Sequence, residues 1–147
     1  MEICAISQGH PLWQETISFA DDSAWRAGPY LARQMEKNAF LPWERVIVAC
    51  QDGSIMGYCT LTEKDELPRK YPFSPLIGFV YVKEPYRGRR VSQRMIDFAA
   101  AYAKGLGYEN IYLMSEEKGL YEKYGFEKIG DYETIFGTVD QLFQRKL

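Results

Sequence analysis

The chain has 147 residues, 46% of them hydrophobic and 26% charged, with a formal net charge of -2. These values suit one soluble globular domain and supply no global attraction to nucleic acid or to an anionic membrane. Three cysteines and a single histidine make neither a disulfide framework nor a zinc set, so Cys4, Cys50 and Cys59 read as reduced thiols of a cytoplasmic protein with no metal. No charged segment followed by a long apolar run opens the chain as a secretory signal would. No apolar stretch approaches the ~18–20 residues of a membrane span.

In chain order, Glu2 to Ile6 alternates as a short strand. Pro11 to Ala20 follows as a helix with Trp13, Ile17 and Ala20 on one face, and Asp21-Asp22-Ser23 breaks it. His10, just before Pro11, reads as a residue that helps to start this helix. Pro29 suits the first turn of a second helix, whose buried stripe carries Leu31 and Met35 up to about Asn38. Arg45 to Cys50 is β-branched and strand-like. Asp52-Gly53 supplies the positive φ of a hairpin turn, and Ile55 to Thr62 returns from it. Pro68, Pro72 and Pro75 make Lys64 to Pro75 a loop. Leu76 to Val82 is almost wholly apolar, as expected of a central strand buried on both faces.

A long helix is predicted from Arg90 to Lys104, with Val91, Met95, Phe98, Tyr102 and Leu106 on its apolar stripe and Gly105 and Gly107 as its stop. Asn110 to Met114 is a strand, and Gly119 to Tyr124 a brief helix ended by Gly125. Glu127 to Tyr132 and Val139 to Lys146 are two further strands. With no repeat and no linker, residues 1–147 form a single domain. Its class is mixed α/β, with an antiparallel front half.

Chemistry concentrates at Tyr86-Arg87-Gly88-Arg89-Arg90-Val91-Ser92. A turn that opens a helix after a central strand presents N–H groups with no helical acceptor, and the helix dipole adds positive charge there. Gly88 allows close backbone approach, and three arginines suit phosphate oxygens. Taken alone, the stretch fits a solvated helix-capping turn as well as an anion site. Neither a GxxxxGK[ST] nor a GxGxxG phosphate motif is present.

Two stretches decide between these readings. Val80-Tyr81-Val82-x-x-x-Tyr86-Arg87-Gly88-x-x-x-Ser92 resembles the acetyl-coenzyme A signature of the GNAT superfamily of N-acetyltransferases. Leu120-Tyr121-Glu122-Lys123-Tyr124-Gly125-Phe126 is similar to a second motif of that family, in the expected order along the chain. The element order resembles the GNAT fold over nearly the whole length. That resemblance implies a mainly antiparallel sheet with a central, splayed parallel pair. It also implies transfer of an acetyl group from acetyl-CoA directly to a primary amine of a small molecule or peptide. A CoA-binding sensor or regulatory module without catalysis is the alternative. Many relatives form dimers, which leaves a homodimer possible.

By position, the resemblance implies that Val80, Tyr81 and Val82 hold the pantetheine arm. The amides from Arg87 through Gly88, Arg89, Arg90 and Val91 to Ser92 hold the pyrophosphate. Tyr121 becomes the general acid toward the leaving thiolate, a role open to a phenol of pKa ~10. The sequence departs from the family pattern at Arg90, where glycine is usual, and at Ser92, where glycine or alanine is usual. The stretch from Ile111 to Tyr121 is also shorter than the common pattern. Ser115 stands in for an asparagine that contacts CoA in relatives. Trp25 and Tyr30 in the second helical region, and Tyr71 and Phe73 in the proline-bearing loop, are the candidates for lining the acceptor pocket. Met114 stands where some relatives carry glutamate, and no general base is obvious. Glu63, Asp65 and Glu66 are candidates that also fit ordinary solvated acids.

Overall fold

A computed structural model describes all 147 residues. Seven strands are laid out as β1 (Glu2–Ile6), β2 (Arg45–Gln51), β3 (Ser54–Thr62), β4 (Leu76–Val82), β5 (Asn110–Ser115), β6 (Glu127–Glu133) and β7 (Val139–Lys146). Three α-helices accompany them: α1 (Trp13–Asp21), α2 (Ala27–Glu36) and α3 (Val91–Gly105). The sheet runs in the order β1-β2-β3-β4-β5-β7-β6. β4 and β5 pair in parallel through Leu76↔Tyr112 and Ile77↔Leu113. The β1–β2, β5–β7 and β6–β7 ladders are antiparallel. The predicted mixed α/β class with a parallel pair in a mainly antiparallel sheet is therefore the observed one.

The chain divides into two compact units, residues 1–60 with 79–95 and residues 61–78 with 96–147. In the first, α1 and α2 bury Trp13, Ile17, Ala20, Leu31, Ala32 and Met35 with Val46, Val48 and Ile55 of the strands. The α1 start matches its chemistry. His10 Nδ1 accepts the Leu12 N–H at 3.0 Å and the His10 carbonyl accepts the Trp13 N–H at 2.9 Å, so His10 fixes the turn that leads into the helix and helps to start it, as the sequence implied. In the hairpin, Asp52 (φ +51°) and Gly53 (φ +77°) both take the left-handed conformation. In the second unit, Leu67, Leu76, Tyr112, Met114 and Leu142 form the buried cluster.

Three expectations change. First, β4 is not buried on both faces throughout: Leu76, Ile77 and Gly78 are buried, but Phe79 to Val82 are half-buried. Phe79 has φ +49°, which interrupts the regular strand at the point where exposure begins. Second, the predicted helix from Gly119 to Tyr124 is a 3-10 turn over Tyr121–Tyr124, closed by Gly125 at φ +88°. Third, the buried stripe of α3 is Val91, Met95, Ile96, Ala99, Ala100 and Ala103, whereas Leu106 is 44% exposed and Phe98 and Tyr102 lie at the margin. Three of the six buried residues are alanines, whose small side chains give a weak apolar signal in the sequence. Following the large apolar residues rotates the face away from the core.

β3 carries one position that tolerates no side chain. A Cβ on Gly57 would strike the Tyr81 carbonyl oxygen and stand 3.1 Å from Val82 Cα. Backbone cannot yield as a flexible side chain does, so Gly57→Ala displaces β4. The expected cost is about 1–3 kcal/mol, the range for overpacking, read as a lower urea midpoint at unchanged slope.

Candidate active site

The basic turn lies in the first unit, at the end of β4. The Lys83 N–H donates to the Met56 carbonyl at 2.8 Å and ties the strand exit to β3. Glu84–Tyr86 then forms one 3-10 turn, with Pro85 in its first positions. Gly88 (φ +81°) and Arg90 (φ +62°) both adopt left-handed backbone, and they aim the chain into α3. The first helical bond is Arg94 N–H to the Arg90 carbonyl at 3.1 Å. The amides of Val91, Ser92 and Gln93 therefore precede every intrahelical acceptor and gather at the positive end of the helix dipole.

The arginines divide the work. Arg87 folds back, its Nε donating to the Val82 carbonyl at 2.8 Å and its guanidinium lying 5.8 Å from the Tyr81 ring centre. Arg89 lies 5.8 Å from the Tyr86 ring centre. Both side chains are braced against aromatic rings next to the turn, with their exposed heads at its surface. Arg90 occupies a left-handed position that glycine accepts without cost and arginine does not.

Aromatic residues crowd β4 in the same unit. Trp25 stacks on Tyr81 at 5.4 Å and 8°, and Tyr30 stacks on Phe79 at 5.9 Å and 16°. Tyr58 joins from β3, 5.4 Å from Tyr81. The Tyr58 hydroxyl is buried without a hydrogen-bond partner, and burial raises its pKa well above the usual phenol value. The nearby Ser23 hydroxyl offsets part of that rise but is itself committed to the Trp25 backbone at 3.2–3.3 Å. Trp25 and Tyr30 thus share one aromatic wall, half-buried at Trp25 and 47% exposed at Tyr30. Tyr58 and Phe79 belong to the same wall and were not singled out from the sequence. The available signal for Phe79 was Gly78 inside a strand pattern, since an isolated glycine there marks a bulge or a close approach.

The second unit holds Tyr121. It is 7% exposed and packs edge-on to Tyr124 (6.0 Å) and Phe126 (6.2 Å), and beside Phe143 (5.9 Å). Gly125 makes this possible by its left-handed φ, which turns the chain so that the Phe126 N–H reaches the Tyr121 carbonyl at 3.1 Å. Tyr71 and Phe73 form a different group, with Tyr132 (4.9 and 5.5 Å) and, for Phe73, Tyr112 (5.2 Å). Ser115 ends β5. Its hydroxyl accepts the Glu117 N–H at 3.0 Å and its carbonyl accepts Gln141 Nε2 at 3.0 Å, so it serves a local turn. Of the three acids, Glu63 pairs with Arg69 at 3.1 Å on the surface. Asp65 and Glu66 are half-buried, which corrects their reading as ordinary solvated acids.

Cys59 is fully buried and burial raises its thiol pKa, as it does for Cys50, so neither is poised as a thiolate nucleophile. No three or more His, Cys, Asp or Glu side chains are grouped to hold a metal ion, and no helix is long and apolar enough to cross a membrane.

The family model described as "Acetyltransferase (GNAT) domain" matches residues 42–128, more than half of the chain. The chain belongs to the GNAT acetyltransferase family. No curated protein matches it. Among solved structures, the aminoglycoside 6'-N-acetyltransferase from Enterococcus faecium superimposes with a TM-score of 0.75 at 14% identity, covering 99% of this chain and 97% of that one. A GNAT family acetyltransferase from Elizabethkingia anophelis with acetyl-CoA bound gives 0.68 at 18%, covering 99% and 97%. An aminoglycoside 6'-N-acetyltransferase complexed with coenzyme A gives 0.73 at 14%, again covering 99% and 97%. At these identities the structural likeness establishes the fold.

Where this GNAT chain departs from its family, at Arg90, the left-handed φ supplies a test. Left-handed backbone costs a non-glycine residue about 1–2 kcal/mol, and glycine loses part of that through greater freedom when unfolded. Arg90→Gly should raise stability by up to about 1 kcal/mol and Arg90→Val should lower it, both read by urea unfolding.

Proposed function

We propose that this GNAT member is an acetyl-CoA-dependent N-acetyltransferase acting on a primary amine of a small molecule or peptide. The observation that carries the reading is the left-handed turn at Gly88 and Arg90, which delivers the N-terminus of α3, the positive end of its dipole, immediately beyond β4. In this reading the pyrophosphate rests on the amides from Gly88 into the first turn of α3; the expected Arg87 amide is excluded, because its N–H donates to the Glu84 carbonyl at 3.1 Å. The braced guanidinium groups of Arg87 and Arg89 add charge at its edge, and the pantetheine arm runs back along Val82, Tyr81 and Val80. Two of the structural relatives have CoA or acetyl-CoA bound, and two act on aminoglycoside amines, which supports both halves of the assignment.

The chemistry requires an amine nitrogen to attack the thioester carbonyl and the CoA thiolate to leave. Backbone N–H groups of β4 polarise the carbonyl where negative charge develops. The Tyr121 phenol donates its proton to the departing sulfur. Burial among Tyr124, Phe126 and Phe143 holds that side chain in one orientation, which a general acid needs. The Trp25–Tyr30 wall contributes flat apolar surface to the acceptor.

Acetyl-CoA and CoA should each raise the melting temperature, whereas ATP at equal concentration should not; no shift with either CoA species removes the cofactor assignment. Arg87→Glu should weaken acetyl-CoA binding about tenfold or more, consistent with ~1.5–3 kcal/mol for a hydrogen bond to a charged group. Tyr121→Phe should reduce kcat about 10²-fold with little change in acetyl-CoA affinity. Equal loss of both would assign the residue to packing.

A further inference from the structure

The second unit contains a carboxylate whose placement the chemistry above does not use. A Cβ built on Gly78 of β4 would fall on the Asp65 carboxyl group, 2.6 Å from Oδ2 and nearer still to Cγ and Oδ1. The carboxyl therefore occupies the space that a side chain at position 78 would fill, directly against the strand backbone. Asp65 reaches it by adopting left-handed backbone at φ +49°. The loop around it is tied down. The Asp65 N–H donates to Thr62 Oγ1 at 3.2 Å, and the Leu67 N–H donates to the Lys64 carbonyl at 2.8 Å. The Ile135 N–H donates to the Glu66 carbonyl at 2.9 Å, and the Lys64 ammonium is spent on the carbonyls of Tyr71 and Phe73.

The direction of the cofactor then matters, and this step rests on the cofactor reading given above. With the pyrophosphate beyond the end of β4 and the arm running back along Val82 to Val80, the thioester end comes toward Phe79 and Gly78. Each residue of strand spans about 3.3 Å. The left-handed Phe79 distorts the strand at that place, one peptide bond from the glycine against which the Asp65 carboxyl lies.

We infer that Asp65 is the catalytic base of this chain, taking the proton from the acceptor nitrogen as that nitrogen bonds to the acetyl carbon. In the full step the neutral amine forms the C–N bond and the C–S bond breaks. The proton on nitrogen passes to the Asp65 carboxylate, and the thiolate takes a proton from the Tyr121 phenol. Solvent then recovers the first proton and restores the second, so amine and acetyl-CoA become amide and CoA thiol in balance. The electrostatics agree. Burial raises the Asp65 pKa to about 6, partly offset by the Glu66 N–H that its carboxylate accepts. That places the group near neutral pH, where a base both accepts and returns a proton readily. The titratable groups around it are Glu66, raised first by burial and then by Asp65, and the Asp140 and Glu116 carboxylates that face Glu66 from β7 and from beyond β5.

The test compares wild type with Asp65→Asn and Gly78→Ala. Acetyl-CoA affinity is measured by calorimetry, and thiol release is measured with 2-phenylethylamine, spermidine and kanamycin as probe amines. Asp65→Asn should lower kcat about 10²-fold and leave acetyl-CoA affinity within about threefold of wild type. It should also remove the acidic limb near pH 6 from the wild-type profile. The folded-state pKa lies above the unfolded value, so this group's stabilisation is lost as pH rises from the ordinary carboxylate value of 3.8 through about 6, and at pH 7 its ionised form opposes folding in full. The asparagine variant should therefore melt no lower than wild type at pH 7. Gly78→Ala, which places a methyl where the carboxyl sits, should reproduce the loss of kcat. An Asp65→Asn enzyme with wild-type kcat and an intact acidic limb overturns the base assignment alone. A wild type that binds no acetyl-CoA, or that binds it and turns over none of the three amines, overturns the transferase reading and the base with it.

Discussion

The absence of a side chain at two positions against β4 is the constraint on which the rest depends. Gly57 on β3 leaves room for the backbone at Tyr81 and Val82, and Gly78 on β4 leaves room for the Asp65 carboxyl. Interiors are close-packed, so a methyl group at either place must displace backbone or a charged group. Between these contacts, Phe79 takes a left-handed conformation and β4 changes from buried to half-buried. Everything assigned to cofactor binding begins just after that change.

Five residues other than glycine take left-handed backbone. Asn38 and Asp52 sit in turns where their side chains tolerate the conformation. Phe79 and Arg90 are types that gain nothing from it, and Asp65 uses it to carry its carboxyl to Gly78. Such conformations cost of order 1–3 kcal/mol and persist where surrounding structure enforces them. Here the enforcement is visible. The Lys83–Met56 bond and the braced Arg87 hold the exit of β4, and the Glu66–Ile135 bond holds the loop that bears Asp65.

The two units carry opposite chemistry. The first offers backbone amides and arginines for an anion, with an aromatic wall alongside. The second offers carboxyl groups and the buried Tyr121, which suit proton transfer. In a chain of net charge -2, neither character shows in the total. Local placement creates both, because the positive end of a helix and a desolvated carboxylate are properties of environment, not of composition.

Much of the fold was legible in the sequence. The bounds of β1, β4 and β7 coincide with the predicted strands, and the Asp52-Gly53 turn identified the hairpin, because alternation and turn chemistry act over a few adjacent residues. The two spaced motifs carry the family's signature in the sequence itself, since their glycine and aromatic positions are local requirements of a turn. The buried face of α3 was misread because alanine periodicity is quiet beside Phe98 and Tyr102, and only packing reveals which face needs small residues. Asp65 looked like any loop acid, and its meaning depends on Gly78, thirteen positions later. The sequence by itself determined the strand order along the chain, the family and the basic turn that opens α3, all set by short-range chemistry. Only the tertiary structure decided that Arg90 is left-handed, that Tyr58 and Phe79 join the aromatic wall, and that a carboxyl lies on β4, because each is a contact or a dihedral that no neighbouring residue dictates.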